Sequence, residues 1–231
     1  MKPSYIYFDL DNTLLDHASA EAKAQQITYK KYPELQKINM DEWLETYAEV
    51  NHNLWVRYQD DEIDRHQLHF SRFHDSMKEL GLSTADSEEI GKFYIKNYRD
   101  FWDWVGGARE TLKMASEKYE VGIITNGFKE TQEIKFDKLS LGDYCNCMII
   151  SEELGQLKPH PIVFDHATEV AGVDREKILY VGDSYSSDIV GGNNAGWQTA
   201  WYTGMVTKNG EEDIADFEFD NFSDLNSYLD L

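Results

Sequence analysis

The stretch YFDLDNTLLDH, residues 7–17, closes a short apolar run with two acids two positions apart, Asp9 and Asp11. In an extended chain, side chains two residues apart project to the same side, so both carboxylates can face one point. Two anions held together repel. The repulsion is tolerated when a cation lies between them, when one acid keeps its proton, or when solvent screens both. The stretch alone leaves all three open, and it equally suits a strand end followed by a turn, because Asp, Asn and Thr favour turns and helix caps.

Outward from this stretch, similar short β-branched runs recur: VGIIT from Val121, CMIIS from Cys147, ILYVG from Ile178 and TAWYT from Thr199. Such runs are the signature of buried parallel strands. Helical stretches separate them, over Ala108 to Lys118, Lys129 to Leu139 and Pro161 to Val170, the last with Pro161 suited to a first turn and Gly172 to the stop. Strand and helix in alternation predict an α/β fold, a parallel sheet flanked by helices. Residues 17–103 differ: they carry no convincing strand. Trp43, Leu44 and Tyr47, then Leu54, Val56 and Tyr58, then Phe93, Tyr94 and Ile95 recur at helical spacing. The expectation is an all-helical domain at 17–103, inserted after the first strand of a core made of 1–16 and 104–231.

The chain has 231 residues, with 22 Lys and Arg against 43 Asp and Glu, a net charge of −21. Acids spread along the whole length argue against a nucleic-acid polymer as partner. An anionic substrate therefore needs a site made locally positive by a metal, a lysine or backbone N–H groups. No apolar run approaches the roughly 20 residues that span a bilayer, and no charged start followed by an apolar stretch opens the chain, so no membrane partner and a cytoplasmic location are expected. Cys145 and Cys147 are spaced too closely for the usual metal or redox pairs and are read as reduced. His66, His69 and His74 are read as helix surface, because a metal site there needs more ligands.

Each core run ends in polar residues: Asp9 and Asp11 on the first, Thr125, Asn126 and Gly127 on the second, Asp183 and Asp188 after ILYVG. In open α/β sheets, ligands bind beyond the carboxyl ends of the strands. Several carboxylates around one point make a hard, oxygen-rich site that fits Mg²⁺ better than zinc. Thr125 supplies a hydroxyl, the following N–H groups can point at an anion, and Lys158, in GQLKPHP, adds a positive charge.

The order DxDxT (Asp9, Asp11, Thr13), T-N-G (Thr125 to Gly127), K-P (Lys158, Pro159) and GDSxxxD (Gly182 to Asp188) resembles the haloacid dehalogenase-like (HAD) hydrolases. Within that family, VNHNLWVRYQ from Val50, GIITNGF and IISEELG make the chain most similar to YjjG-type pyrimidine 5′-nucleotidases. The resemblance implies a Rossmann-like core with a helical cap, and a Mg²⁺-dependent phosphatase, in which Mn²⁺ or another divalent cation can substitute. It implies that Asp9 is the nucleophile that forms an aspartyl-phosphate and Asp11 the general acid and base. Thr125 and the Asn126 and Gly127 backbone hold the phosphoryl oxygens, and Lys158 offsets charge. The metal falls to Asp9, Asp183, the Asp11 main-chain carbonyl and, through water or by orienting neighbours, Asp188, while Thr13 fixes the turn. The implied substrates are nucleoside monophosphates such as UMP, dUMP and dTMP, with Trp55, Arg57, Tyr58 and Gln59 offered to the base. The alternatives are a phosphatase or phosphomutase for another small ester, such as a sugar phosphate or phosphoglycolate, and a non-enzymatic binding protein. Asp11 argues against a dehalogenase, whose branch does not retain it. The sequence does not fix the oligomeric state.

Overall fold

Alternate residues of strand β1 (Tyr5–Phe8) enter two different cores. Ile6 and Phe8 pack with Val121, Ile123, Leu179 and Val181, while Tyr5 and Tyr7 pack with Ile124, Ile178 and Tyr180. A strand buried on both faces is what an apolar run without alternation requires. The computed structural model describes residues 2–206, 208, 210 and 214–231. They form a parallel sheet that contains β1, β2 (Glu120–Thr125), β3 (Cys147–Ile150), β4 (Ile178–Gly182), β5 (Gln198–Tyr202) and β6 (Phe217–Phe219), in the order β3-β2-β1-β4-β5-β6. The short strand β6 was not anticipated; its three residues, FEF, are too few to show a period.

Helices cover both faces. On one, α5 (Ala108–Ser116) contributes Ala108, Leu112 and Ala115, and α9 (Phe222–Leu229) contributes Phe222, Leu225 and Leu229. On the other, α7 (Pro161–Ala171) contributes Val163, Phe164 and Ala167; it starts at Pro161 and stops at Gly172, as expected. Among the described residues, α6 (Lys129–Lys138) and the short α8 (Gly191–Asn194) complete the α-helices around the sheet. The α/β expectation therefore holds.

The chain divides into two compact units, Met1–Asp16 with Asp103–Leu231, and His17–Trp102. Asp103 falls with the sheet, where its carbonyl accepts from the Asp16 N–H at 3.0 Å. The second unit holds α1 (His17–Lys31), α2 (Met40–Gln59), α3 (Arg65–Glu79) and α4 (Ser87–Tyr98). Asn39 caps α2, and Asp64 with Gln67 forms a capping box on α3. Its interior is aromatic: Trp43, Tyr47, Phe73 and Tyr94 are buried, with the Tyr47 and Phe73 rings 5.0 Å apart. Val56, counted above in the apolar stripe, is instead 42% exposed. His69 accompanies Arg72 and His74 accompanies Asp75, and no metal-competent group forms there among the described residues. No helix of the described residues is long and apolar enough to cross a membrane.

Candidate active site

Strand β1 delivers Asp9 while still in register, its N–H donating to Val181 O at 2.8 Å. The chain then turns. Asn12 adopts a left-handed conformation, φ 64°, which Asn tolerates better than most residues, and the N–H groups of Leu14 and Leu15 both donate to Leu10 O. This turn separates the two opening acids. Asp9 Oδ1 accepts from Lys158 Nζ at 2.7 Å, whereas Asp11 Oδ1 accepts from Lys135 Nζ at 2.5 Å. Each acid therefore has its own buried lysine partner.

Lys158 lies at the centre of the first arrangement and is fully buried. Asp188 Oδ1 at 2.9 Å, Tyr180 Oη at 2.5 Å and Ile124 O at 3.1 Å also lie within hydrogen-bond distance of its ammonium, whose three N–H groups are shared among these acceptors and Asp9. Its backbone is held too: Asn126 Nδ2 donates to Lys158 O and Lys158 N donates to Asn126 Oδ1. The Asn126 side chain thus fixes the lysine loop, and only its main chain is left for a phosphoryl group. Burial alone would lower the lysine pKa, but Asp188 and Asp9 outweigh it and raise it, so the ammonium stays charged.

Asp9, Asp183 and Asp188 offer carboxylate oxygens that lie within 4.8 Å of one another. Burial, resisted by Lys158 and reinforced by Asp188, pushes the Asp9 carboxyl up to about 7. Burial and the neighbouring Asp9 and Asp188 raise Asp183 well above the ordinary carboxylate range. Thr13, fully buried, donates to Asp183 Oδ1 at 3.1 Å, so it orients a site carboxylate as well as occupying the turn. Asp188 Oδ2 accepts the Ser184 N–H at 3.0 Å inside a π-helical turn, Tyr185–Val190, a feature frequent at functional sites. Gly182 permits that approach: a Cβ there would lie 2.3 Å from Asp188 Oδ2.

Three crowded carboxylates form a donor set that suits a hard divalent cation, and burial opposes the ionisation of Asp9 and Asp183. Lys158 takes one oxygen of Asp9 and one of Asp188, and Thr13 takes one of Asp183. The residues present therefore fit such an ion. The Asp11 side chain is outside this group.

The second arrangement links Asp11 to Thr125. Gln132 Nε2 donates to Asp11 Oδ2 at 2.8 Å and to Thr125 Oγ1 at 2.6 Å, and the Gly127 N–H also donates to Thr125 Oγ1, at 3.2 Å. The Thr125 oxygen accepts twice, which leaves its O–H to donate elsewhere. Gly127 must be glycine, since a Cβ would lie 2.0 Å from Gln132 Nε2. Gln132, Lys135 and Tyr180 were not among the residues anticipated. The sequence holds no clear signal for the first two: they stand at helical spacing on α6, but only the fold shows that Gln132 and Lys135 are buried while Ile134 is 37% exposed.

The haloacid dehalogenase-like hydrolase family model matches residues 6–202. Pyrimidine 5′-nucleotidase YjjG of Escherichia coli is 34% identical over 209 residues, 87% of this chain and 86% of that protein. Pyrimidine 5′-nucleotidase PynA of Streptococcus pneumoniae is 30% identical over 234 residues, 98% of this chain and 94% of that protein. Among solved structures, the HAD-hydrolase YfnB from Bacillus subtilis, bound to magnesium, superposes with a TM-score of 0.88 at 25% identity, covering 100% of both chains. The match extends through the strand ends that carry Asp9, Thr125 and Asp183 and through the loop that carries Lys158, and the chain belongs to the haloacid dehalogenase-like hydrolases.

Proposed function

We propose that this chain is a divalent-metal-dependent phosphatase that hydrolyses pyrimidine nucleoside 5′-monophosphates through an aspartyl-phosphate. The observation that carries the phosphatase reading is the pair of separately held acids, Asp9 on Lys158 and Asp11 on Lys135. The first suits a nucleophile and the second a proton carrier, because two groups in different environments can take different tasks.

One Asp9 oxygen attacks phosphorus, and the bond from phosphorus to the ester oxygen breaks as Asp11 gives that oxygen a proton. Water then attacks the phosphorus of the Asp9 acyl phosphate, Asp11 takes the water's proton, and the bond to Asp9 breaks to release phosphate. The Thr125 hydroxyl, with the Asn126 and Gly127 N–H groups, holds phosphoryl oxygens, and Lys158 balances charge as Asp9 changes state. Asp9, Asp183 and Asp188, with the Asp11 main-chain carbonyl, are the residues we assign to Mg²⁺. A bound divalent cation supplies positive charge that offsets repulsion between a carboxylate nucleophile and an anionic phosphoryl group.

Choice of leaving group is a property we assign to the helical unit. Trp55 and Tyr58 are half-buried, with ring centroids 5.8 Å apart, and do not belong to its fully buried aromatic interior. Flat ring surface with polar neighbours such as Arg57 and Gln59 suits a pyrimidine. The nucleotidase likeness to YjjG and PynA supports the same choice. Comparison of Trp55→Ala on dUMP and on a small aryl phosphate tests it: a selective loss of kcat/KM for dUMP is expected, and equal losses in a folded variant would remove Trp55 from base recognition.

A further inference from the structure

We propose that Gln132 and Lys135 form a positioning pair that sets the direction of the Asp11 carboxylate and couples it to the Thr125 hydroxyl. The inference rests on the phosphatase reading and adds two residues that the sequence motifs do not contain.

The geometry is specific. Lys135 Nζ takes Asp11 Oδ1 at 2.5 Å and Gln132 Nε2 takes Asp11 Oδ2 at 2.8 Å, so both oxygens of one carboxylate are fixed by one helix, α6. Two contacts define the carboxylate plane, where a single contact would leave it free to rotate about χ2. The other Gln132 N–H goes to Thr125 Oγ1 at 2.6 Å, so one amide group spans the proton carrier and the phosphate donor.

The pair acts through Asp11 and Thr125: Gln132 is fully buried and Lys135 is 1% exposed, and the Gln132 amide and the Lys135 ammonium are directed at those two residues. They are held there at a cost. A lysine is rarely buried without a partner, and the buried Gln132 Oε1 has no hydrogen bond. An amide that leaves its own acceptor unsatisfied so that both donors reach Asp11 and Thr125 is arranged for those two residues. A helix that buries Gln and Lys while Ile134 is exposed breaks the usual pattern, and such breaks concentrate at functional sites.

The test uses Lys135→Met and Gln132→Met, each alone and with Asp11→Asn, with thermal unfolding to confirm folding. The value of kcat/KM is compared between an alkyl phosphate, whose leaving oxygen needs a proton, and p-nitrophenyl phosphate, whose leaving oxygen does not. A misdirected acid is expected to lose about 10- to 10²-fold on the alkyl ester and much less on the aryl ester. In the Asp11→Asn background either substitution is expected to add less than about twofold, since residues acting through one group are not additive. Should Lys135→Met fail to fold, Gln132→Met carries the same comparison. Equal losses on both esters, or losses that persist undiminished in the Asp11→Asn background, overturn the proposal. A crystal structure of a folded single variant reads it independently of activity. Asp11 is expected to leave its place, and an Asp11 carboxylate that keeps its position and plane overturns the proposal even if the wild type hydrolyses neither ester. The latter result would remove the phosphatase reading alone.

Discussion

Asp9 and Asp11 stand two residues apart in the chain, yet their carboxylates are neutralised by different buried lysines, Lys158 at 2.7 Å and Lys135 at 2.5 Å. The turn at Asn12 makes this possible by redirecting the chain directly after the strand. Two acids with separate partners in one site can take different tasks.

Lys158 compensates Asp9 and Asp188 together, and all three are buried. Lys158→Met leaves two carboxylates without their cation. Removing one partner of a buried pair typically costs about 3–5 kcal/mol. Urea unfolding of metal-free protein is expected to show a loss in that range, and a loss below about 1 kcal/mol would mean that the lysine does not hold the site together.

The two acids should fail differently. Asp9→Asn is expected to abolish both turnover and formation of the acyl phosphate. Asp11→Asn should lose about 10²- to 10⁴-fold, with the greater loss on esters that have a poor leaving group. Trapping of phosphoenzyme with labelled substrate, together with rates across alkyl and aryl esters, separates them. Labelled protein from Asp9→Asn would assign the nucleophile elsewhere.

Gly127→Ala places a methyl group 2.0 Å from Gln132 Nε2, in a region where Gln132 cannot withdraw without releasing Asp11 or Thr125. Overpacking of this kind costs about 1–3 kcal/mol. Both thermal stability and kcat/KM are expected to fall, and a variant of wild-type stability and rate would show that Gln132 is not held as described.

Much of this was legible in the sequence because the sheet is built from uninterrupted apolar runs and each run stops at a polar group. Asp9, Thr125 and Asp183 could be placed at strand ends on that basis, and ILYVG and VGIIT are strands at the residues expected. What could not be read was contact across the chain. Lys135 lies 124 positions from Asp11, and helix α6 carries no apolar stripe to mark its inward face, which is polar. Tyr180 was concealed differently: an aromatic in a buried strand reads as core, and only the fold puts its hydroxyl on Lys158. Strand β6 escaped notice because three residues show no periodicity.

Burial pushes the Cys145 thiol up to about 12, so little thiolate forms at ordinary pH. Cys147 is half-buried, with its sulfur 3.5 Å from Tyr5 Oη. Alkylation followed by mass spectrometry is expected to modify Cys145 only at the rate of unfolding, with little acceleration between pH 7 and pH 9 while the fold is intact. Modification of Cys145 in native protein at the rate of a free thiol would contradict its placement under the sheet.

The most direct test of the central claim is kcat/KM across a panel of phosphate esters, in Mg²⁺ and again after chelation by EDTA. UMP, dUMP and dTMP are expected to exceed purine monophosphates, sugar phosphates and phosphoglycolate, with activity lost in EDTA, restored by added Mg²⁺ and absent from Asp9→Asn. If any ester outside the pyrimidine group surpasses every pyrimidine by about tenfold or more, the nucleotidase assignment is contradicted. Hydrolysis that persists undiminished in excess EDTA would contradict the assignment of Asp9, Asp183 and Asp188 to a metal.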